Sequence, residues 1–154
     1  MPLADLLAPD AVFPSLRASS KKQALQELAH NAALLIDRDQ REIFETLLQR
    51  ERLGSTGVGA GIAIPHGKLP KLDKLFGAFA RLEKPIDFES LDGEPVDLVF
   101  LLLAPEAAGA DHLKALARVA RMLRDPAITE KLRTTRDPAA IHALLTQPAA
   151  SDAA

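Results

Sequence analysis

Four histidines, His30, His66, His112 and His142, are the only side chains here whose ordinary pKa, about 6.5, lies near neutrality. The chain has no cysteine, which excludes thiolate nucleophiles, disulfides, iron–sulfur ligation and cysteine-based zinc sites. His66 stands in Pro65-His66-Gly67, between a residue that fixes φ and removes a donor and one that leaves little bulk beside the ring. An imidazole held that way at a strand-to-loop corner is mostly neutral near pH 7 and can attack as a nucleophile, its other nitrogen donating to a carbonyl. The same corner suits a loop histidine with no chemistry, and local pattern does not choose between them. His112 follows Asp111 at an expected helix start, where free N–H groups and the helix dipole favour an anion, although a solvated first-turn residue is the more common case. His30 and His142 fall within amphipathic helical stretches and read as scaffold. No pair of histidines has helical metal-ligand spacing, so neither a metal nor a cofactor is expected.

Around His66 lies the block Arg50-Glu-Arg-Leu-Gly-Ser-Thr-Gly-Val-Gly-Ala-Gly-Ile-Ala-Ile-Pro-His-Gly-Lys68, which holds Gly54, Gly57, Gly59 and Gly61. Such a run can turn backbone N–H groups towards an anion. It fails the nucleotide templates. A P-loop has four residues before its Gly-Lys-Ser/Thr, whereas Gly61 and Gly67 enclose five and Lys68 is followed by Leu69. The dinucleotide fingerprint lacks its third glycine, and the run precedes its strand. Arg50 and Arg52 close the preceding helix; they either complement its C-terminus or neutralise an anion held by the loop.

The elements that must position these residues follow from periodicity. Ala11–Leu16 reads as an edge strand limited by Pro14. Ser20 with Gln23, and Asp39 with Glu42, have capping-box spacing and open two helices, one to about Ile36 and one towards Leu53. Ile62–Ile64 is a short strand stopped by Pro65, and Phe76–Leu82 alternates as a strand should. Val96–Ala104, nearly all apolar, is expected to be a strand buried on both faces. Helical spacing returns at Leu113–Leu123, and Asp125-Pro126 and Asp137-Pro138 each read as an N-cap followed by proline at N1. The expected fold is therefore α/β, a three-layer sandwich with helices on both faces of one sheet. Residues 1–146 are expected to make a single domain, and 147–154 a short flexible tail.

With 154 residues, 47% hydrophobic, 26% charged and a net charge of -2, the chain has the composition of a globular protein without a footprint for nucleic acid. Its longest apolar run, Leu98–Ala104, is far short of the roughly 20 residues that span a bilayer, and Met1–Asp10 does not read as a signal peptide. No membrane insertion and a cytoplasmic location are expected.

The block from Arg50 to Lys68 closely resembles the active-site signature of the fructose/mannitol class of enzyme IIA, from the bacterial phosphoenolpyruvate:sugar phosphotransferase system. The Gly-Ser-Thr-Gly and Gly-Ile-Ala-Ile-Pro-His-Gly-Lys wording is most similar to the nitrogen-regulatory branch. The likeness runs from about Leu6 to Leu145 and includes Lys84-Pro-Ile-Asp-Phe88, the Pro95–Phe100 strand and Asp111-His-Leu113. Ala60 departs from it, where that branch often carries asparagine. The resemblance implies a mixed sheet sandwiched by helices. It implies that His66 accepts a phosphoryl group on its tele nitrogen from an HPr-type phosphocarrier, that His112 assists, and that Arg50 stabilises the phosphate. Arg52 has no comparable role. Backbone and hydroxyl donors at Ser55, Thr56 and Gly57 are candidate phosphate-binding groups.

Three functions are compatible with this. One is a regulatory phosphocarrier whose phosphorylation state alters binding to partners such as transporters or sensor kinases. Another is a sugar-specific carrier that passes phosphate to a separate IIB during fructose or mannitol uptake. The third is a binding module that keeps only the fold. No IIB, IIC or HPr-like segment accompanies the domain, which favours the first over the second; the intact His66–His112–Arg50 set speaks against the third.

Overall fold

A computed structural model describes residues 2–147. The sheet is mixed, with strand order β1-β5-β6-β3-β2 and β4 also paired to β6. Its strands are β1 (Leu7–Leu16), β2 (Gly57–Gly59), β3 (Ile62–Ala63), β4 (His66–Leu69), β5 (Phe76–Ile86) and β6 (Val96–Pro105). The helices are α1 (Lys21–Ile36), α2 (Gln40–Arg52), α3 (Ala110–Met122), α4 (Pro126–Thr134) and α5 (Pro138–Thr146). β6 is the central strand: β5 runs antiparallel along one side, and β3 and β4 run parallel along the other. Every residue from Leu98 to Ala104 is fully buried, as a strand covered on both faces requires. α1 and α2 pack together against β1, β4 and β5, and α3 and α5 pack against β6 and β1.

The caps expected from sequence are formed. Ser20 accepts the Gln23 N–H, Asp39 that of Arg41, Asp125 that of Ala127 and Asp137 that of Ala140. Pro126 and Pro138 take the first helical positions, where a missing N–H costs nothing.

Several boundaries differ, and β5 runs on to Ile86, past the expected Leu82, with a shift in register after Arg81. The edge strand begins at Leu7 rather than Ala11, with a break in register between Leu7 and Val12 where Pro9 interrupts pairing. The glycine run is not all loop, since Gly57–Gly59 adds a short antiparallel strand to β3. His66 does not end the strand before it; it opens β4. β3 and β4 are two pieces of one path along β6, interrupted at Ile64-Pro65, where the Pro65 carbonyl still accepts the Leu102 N–H at 2.9 Å. The expected tail 147–154, apart from Gln147, lies outside the described residues. Among the described residues, no helix is long and apolar enough to cross a membrane.

Candidate functional site

The Pro65 break turns the chain so that His66 is half-buried, with both ring nitrogens engaged. Nδ1 lies 2.8 Å from the Ile64 carbonyl, which can only accept, so the proton sits on Nδ1. Nε2 is left with its lone pair and accepts the Arg50 Nε–H at 3.2 Å. Arg50 is the last-turn residue of α2 that the sequence singled out, and its Nη1 donates to the Gly54 carbonyl at 2.9 Å. Arg52 is exposed, and neither structure nor resemblance gives it a part in the site.

Gly67 explains how α2 comes so near. A Cβ there would stand 2.6 Å from Thr46 Cγ2, so a side chain at this position would force Thr46 of α2 to move.

His112, in the first turn of α3, meets His66 edge to face, with centroids 5.7 Å apart and planes at 83°. It is only 6% exposed. Its Nε2 and Ser90 Oγ are the buried side-chain atoms without a hydrogen-bond partner among the described residues. Burial holds the His66 pKa below its usual value; the Ile64 carbonyl opposes that, the Arg50 charge adds to it, and Glu51 pulls the other way. Burial, then the charges of His66 and Lys68, hold His112 low as well. Both rings are thus biased towards the neutral form, and the His66 Nε2 lone pair is occupied by the Arg50 N–H.

The remaining histidines lie elsewhere. His30 is exposed, 3.3 Å from Gln40 Oε1. His142 Nε2 donates to the Leu7 carbonyl at 2.8 Å and ties α5 to the edge strand. Among the described residues, no group of three His, Asp or Glu side chains could hold a metal ion.

The candidate phosphate-binding residues of the glycine run have other partners. Ser55 gives its hydroxyl proton to the Phe88 carbonyl at 2.6 Å and accepts the Gly57 N–H at 3.0 Å. Thr56 gives both its N–H, at 3.0 Å, and its hydroxyl proton to the Glu51 carboxylate. A Cβ at Gly57 would stand 2.1 Å from Ser90 Oγ, so this position admits the loop that carries Phe88 and Ser90. In this arrangement the donors of Ser55, Thr56 and Gly57 are engaged by partners within the protein, the Phe88 carbonyl, the Glu51 carboxylate and the Ser55 hydroxyl. Further along, the Ala60 N–H donates to Asp92 at 2.9 Å, and Arg133 Nη2 donates to the Ala60 carbonyl at 2.7 Å. Arg133 also forks onto Asp97 of β6, with contacts of 2.9 to 3.2 Å.

Glu51 has no role in the sequence reading, where two arginines flanking one glutamate also fit a solvated helix face. The available signal was periodicity. Ile43, Leu47 and Glu51 recur every four residues and share the buried face of α2. Asp92, Asp97 and Arg133 carried no local signal.

With that geometry in hand, the relatives can be placed. Residues 5–147 match the family described as "Phosphoenolpyruvate-dependent sugar phosphotransferase system, EIIA 2". The chain is 66% identical to "Nitrogen regulatory protein" of Bradyrhizobium diazoefficiens, covering 99% of this chain and 100% of that one. The crystal structure of nitrogen regulatory protein IIA-Ntr from Neisseria meningitidis superposes with a TM-score of 0.88 at 35% identity, over 94% of this chain and 99% of the other. IIA mannitol from Escherichia coli shares the fold, with a TM-score of 0.75 at 21% identity over 90% of this chain and 97% of that one. The chain belongs to the phosphotransferase-system enzyme IIA family of the fructose/mannitol class, in its nitrogen-regulatory branch.

Proposed function

We propose that the chain is the phosphohistidine carrier of the nitrogen-related phosphotransferase system, working in the cytoplasm, where it takes a phosphoryl group from an HPr-type phosphocarrier onto His66 and regulates partners by its phosphorylation state. The observation that carries this reading is the bonding of the His66 ring, with Nδ1–H tied to the Ile64 carbonyl and the Nε2 lone pair facing Arg50. The fixed tautomer selects Nε2, the tele nitrogen, as the acceptor.

In the transfer, the Nε2 lone pair attacks phosphorus in line with the donor's phosphohistidine nitrogen. The new N–P bond forms as the old one breaks, and the donor imidazole recovers its lone pair. His66 keeps Nδ1–H, so its ring gains positive charge as the bond forms, and the Ile64 carbonyl stabilises that charge. Arg50 Nε–H must leave the lone pair and turn to the phosphoryl oxygens, with Nη1 on the Gly54 carbonyl as its pivot. The unpartnered His112 nitrogen is the second group for those oxygens. Ser55, Thr56 and Gly57 contribute by keeping the loop in place. Leu53, 85% exposed, and Leu113, 69% exposed, adjoin Gly54 and His112 and suit docking of a protein donor.

A phosphoryl group adds about -1.5 to -2 of charge, enough to create or abolish an interface with a transporter or sensor kinase. Incubation with phosphoenolpyruvate, enzyme I and the HPr-type carrier should label the protein in an acid-labile form, and His66→Ala should take no label. A labelled His66→Ala variant overturns the assignment. A pull-down that compares the two states and recovers only a sugar-specific IIB replaces the regulatory reading with a sugar-uptake one.

A further inference from the structure

Glu51 is 7% exposed, and both of its carboxylate oxygens have partners. Oε1 accepts from Lys21 Nζ at 3.0 Å and from the Thr56 N–H at 3.0 Å, and Oε2 accepts the Thr56 hydroxyl. Lys21 comes from the first turn of α1, with its ammonium 5.1 Å from the centre of the Phe88 ring and 3.8 Å from Glu89. A buried ion pair of this kind is poor evidence of stabilisation, because desolvation offsets most of the attraction and well-packed apolar groups often do as well. Its position suggests a different use.

From Thr56 the hydrogen bonds continue. The Thr56 carbonyl accepts the Ile64 N–H at 3.0 Å, and the Ile64 carbonyl accepts the His66 Nδ1–H at 2.8 Å. The Ile64 peptide thus lies between an anchor built on Glu51 and the imidazole. We propose that Glu51, held by Lys21, is a positioning residue for His66: through Thr56 and Ile64 it fixes the carbonyl that keeps the proton on Nδ1 and Nε2 towards the phosphoryl donor. This rests on His66 being the acceptor.

Two further observations favour the assignment. The Ile64-Pro65 segment sits in the gap between β3 and β4, and Pro65 has no N–H with which to bind it to β6. The segment is held on one side by the Pro65 carbonyl, which accepts the Leu102 N–H of β6, and on the other by the Ile64 N–H bond to Thr56, the restraint that leads back to Glu51. Glu51 is also the carboxylate that opposes Arg50 in acting on His66, and this favours a ring that becomes cationic when Nε2 binds phosphorus.

The test uses the full chain as Glu51→Gln, Lys21→Met and the double variant Lys21→Met/Glu51→Gln, which removes both charges so that neither is left buried alone. Each is measured for its amide NMR spectrum, for the 15N shifts of the His66 ring and for the rate of transfer from the phosphorylated HPr-type carrier. Glu51→Gln should keep the folded spectrum, show a mixture of His66 tautomers and transfer about 10²-fold more slowly, as expected for a reacting group displaced by about 1 Å. Lys21→Met should lie between it and the parent, and the double variant should be well folded but as slow as Glu51→Gln. A folded Glu51→Gln, or a folded double variant if the single one does not fold, overturns the proposal if it has the parental rate. A slow variant with an unchanged tautomer also overturns it, because the loss then has another route. If His66→Ala still takes label, the acceptor assignment itself fails; if it does not, and the Glu51 variants behave as the parent, only the positioning role fails.

Discussion

His66 and His112 face each other across 5.7 Å, yet the fold treats them differently. His66 is half-buried and has a partner on each nitrogen; His112 is more deeply buried and has a nitrogen with none. Doubly bonded, the first ring has one tautomer and one direction. A buried polar group left unsatisfied costs about 1 to 3 kcal/mol in general, and the His112 Nε2 has no partner among the described residues. Keeping such a group is intelligible if a ligand completes it. The pair shows preorganisation on one side and unused bonding capacity on the other.

Several changes would break or sharpen this contrast. The largest effect is expected from Arg50→Ala, which removes the donor aimed at His66 Nε2, the proposed acceptor, and should slow transfer by about 10²- to 10³-fold in a quench assay. Arg50→Lys should recover little, because an ammonium cannot serve Gly54 and the phosphoryl group in the same forked geometry. His112→Leu should separate function from stability. Transfer should fall on the order of 10-fold, while the melting temperature stays level or rises because an orphaned nitrogen is gone. A loss of stability with unchanged transfer would reverse the roles given to the two rings.

A smaller effect concerns pH. Burial lowers both imidazole pKa values in the folded state, so the unfolded chain binds more protons as the solution is acidified. Their contribution to stability is complete above about 6.5 and is lost as pH falls through the lower folded values. Calorimetry should show melting temperature declining across that window, less steeply in His112→Leu. The smallest change lies outside the pair. Ala60 has φ of 56°, a left-handed conformation that costs an alanine about 1 to 2 kcal/mol. Ala60→Asn should therefore stabilise the chain by about 0.5 to 1 kcal/mol in urea melts, with transfer unchanged.

Much of this architecture could be read from local pattern. Ser20, Asp39, Asp125 and Asp137 cap the helices they were expected to cap, because a cap is decided within three residues. β6 could be read from its unbroken apolar run, and the family from the block around His66. What escaped notice depends on distant contacts. Position 51 follows the buried spacing of Ile43 and Leu47, but a glutamate there reads as surface until Lys21 and Thr56 are seen around it. Nothing near Ser55 announces that its proton belongs to the Phe88 carbonyl, 33 residues away. β1 starts four residues earlier than its local pattern shows, because an edge strand tolerates Pro9 with a shift in register between Leu7 and Val12.

Arg133 carries a consequence for how the site comes into being. The residues that would meet the phosphoryl group lie between positions 50 and 112, but one clamp on the glycine run reaches back from α4, 73 residues beyond the carbonyl it holds. During synthesis, at about 5 to 20 residues per second, His66 and Arg50 emerge several seconds before that clamp exists. Until α4 has left the ribosome, the Ala60 carbonyl lacks its arginine and Asp97 lacks its counter-charge. Completion of the pocket is thus tied to completion of the fold, and a nascent chain shorter than this presents the histidine without its finished surroundings.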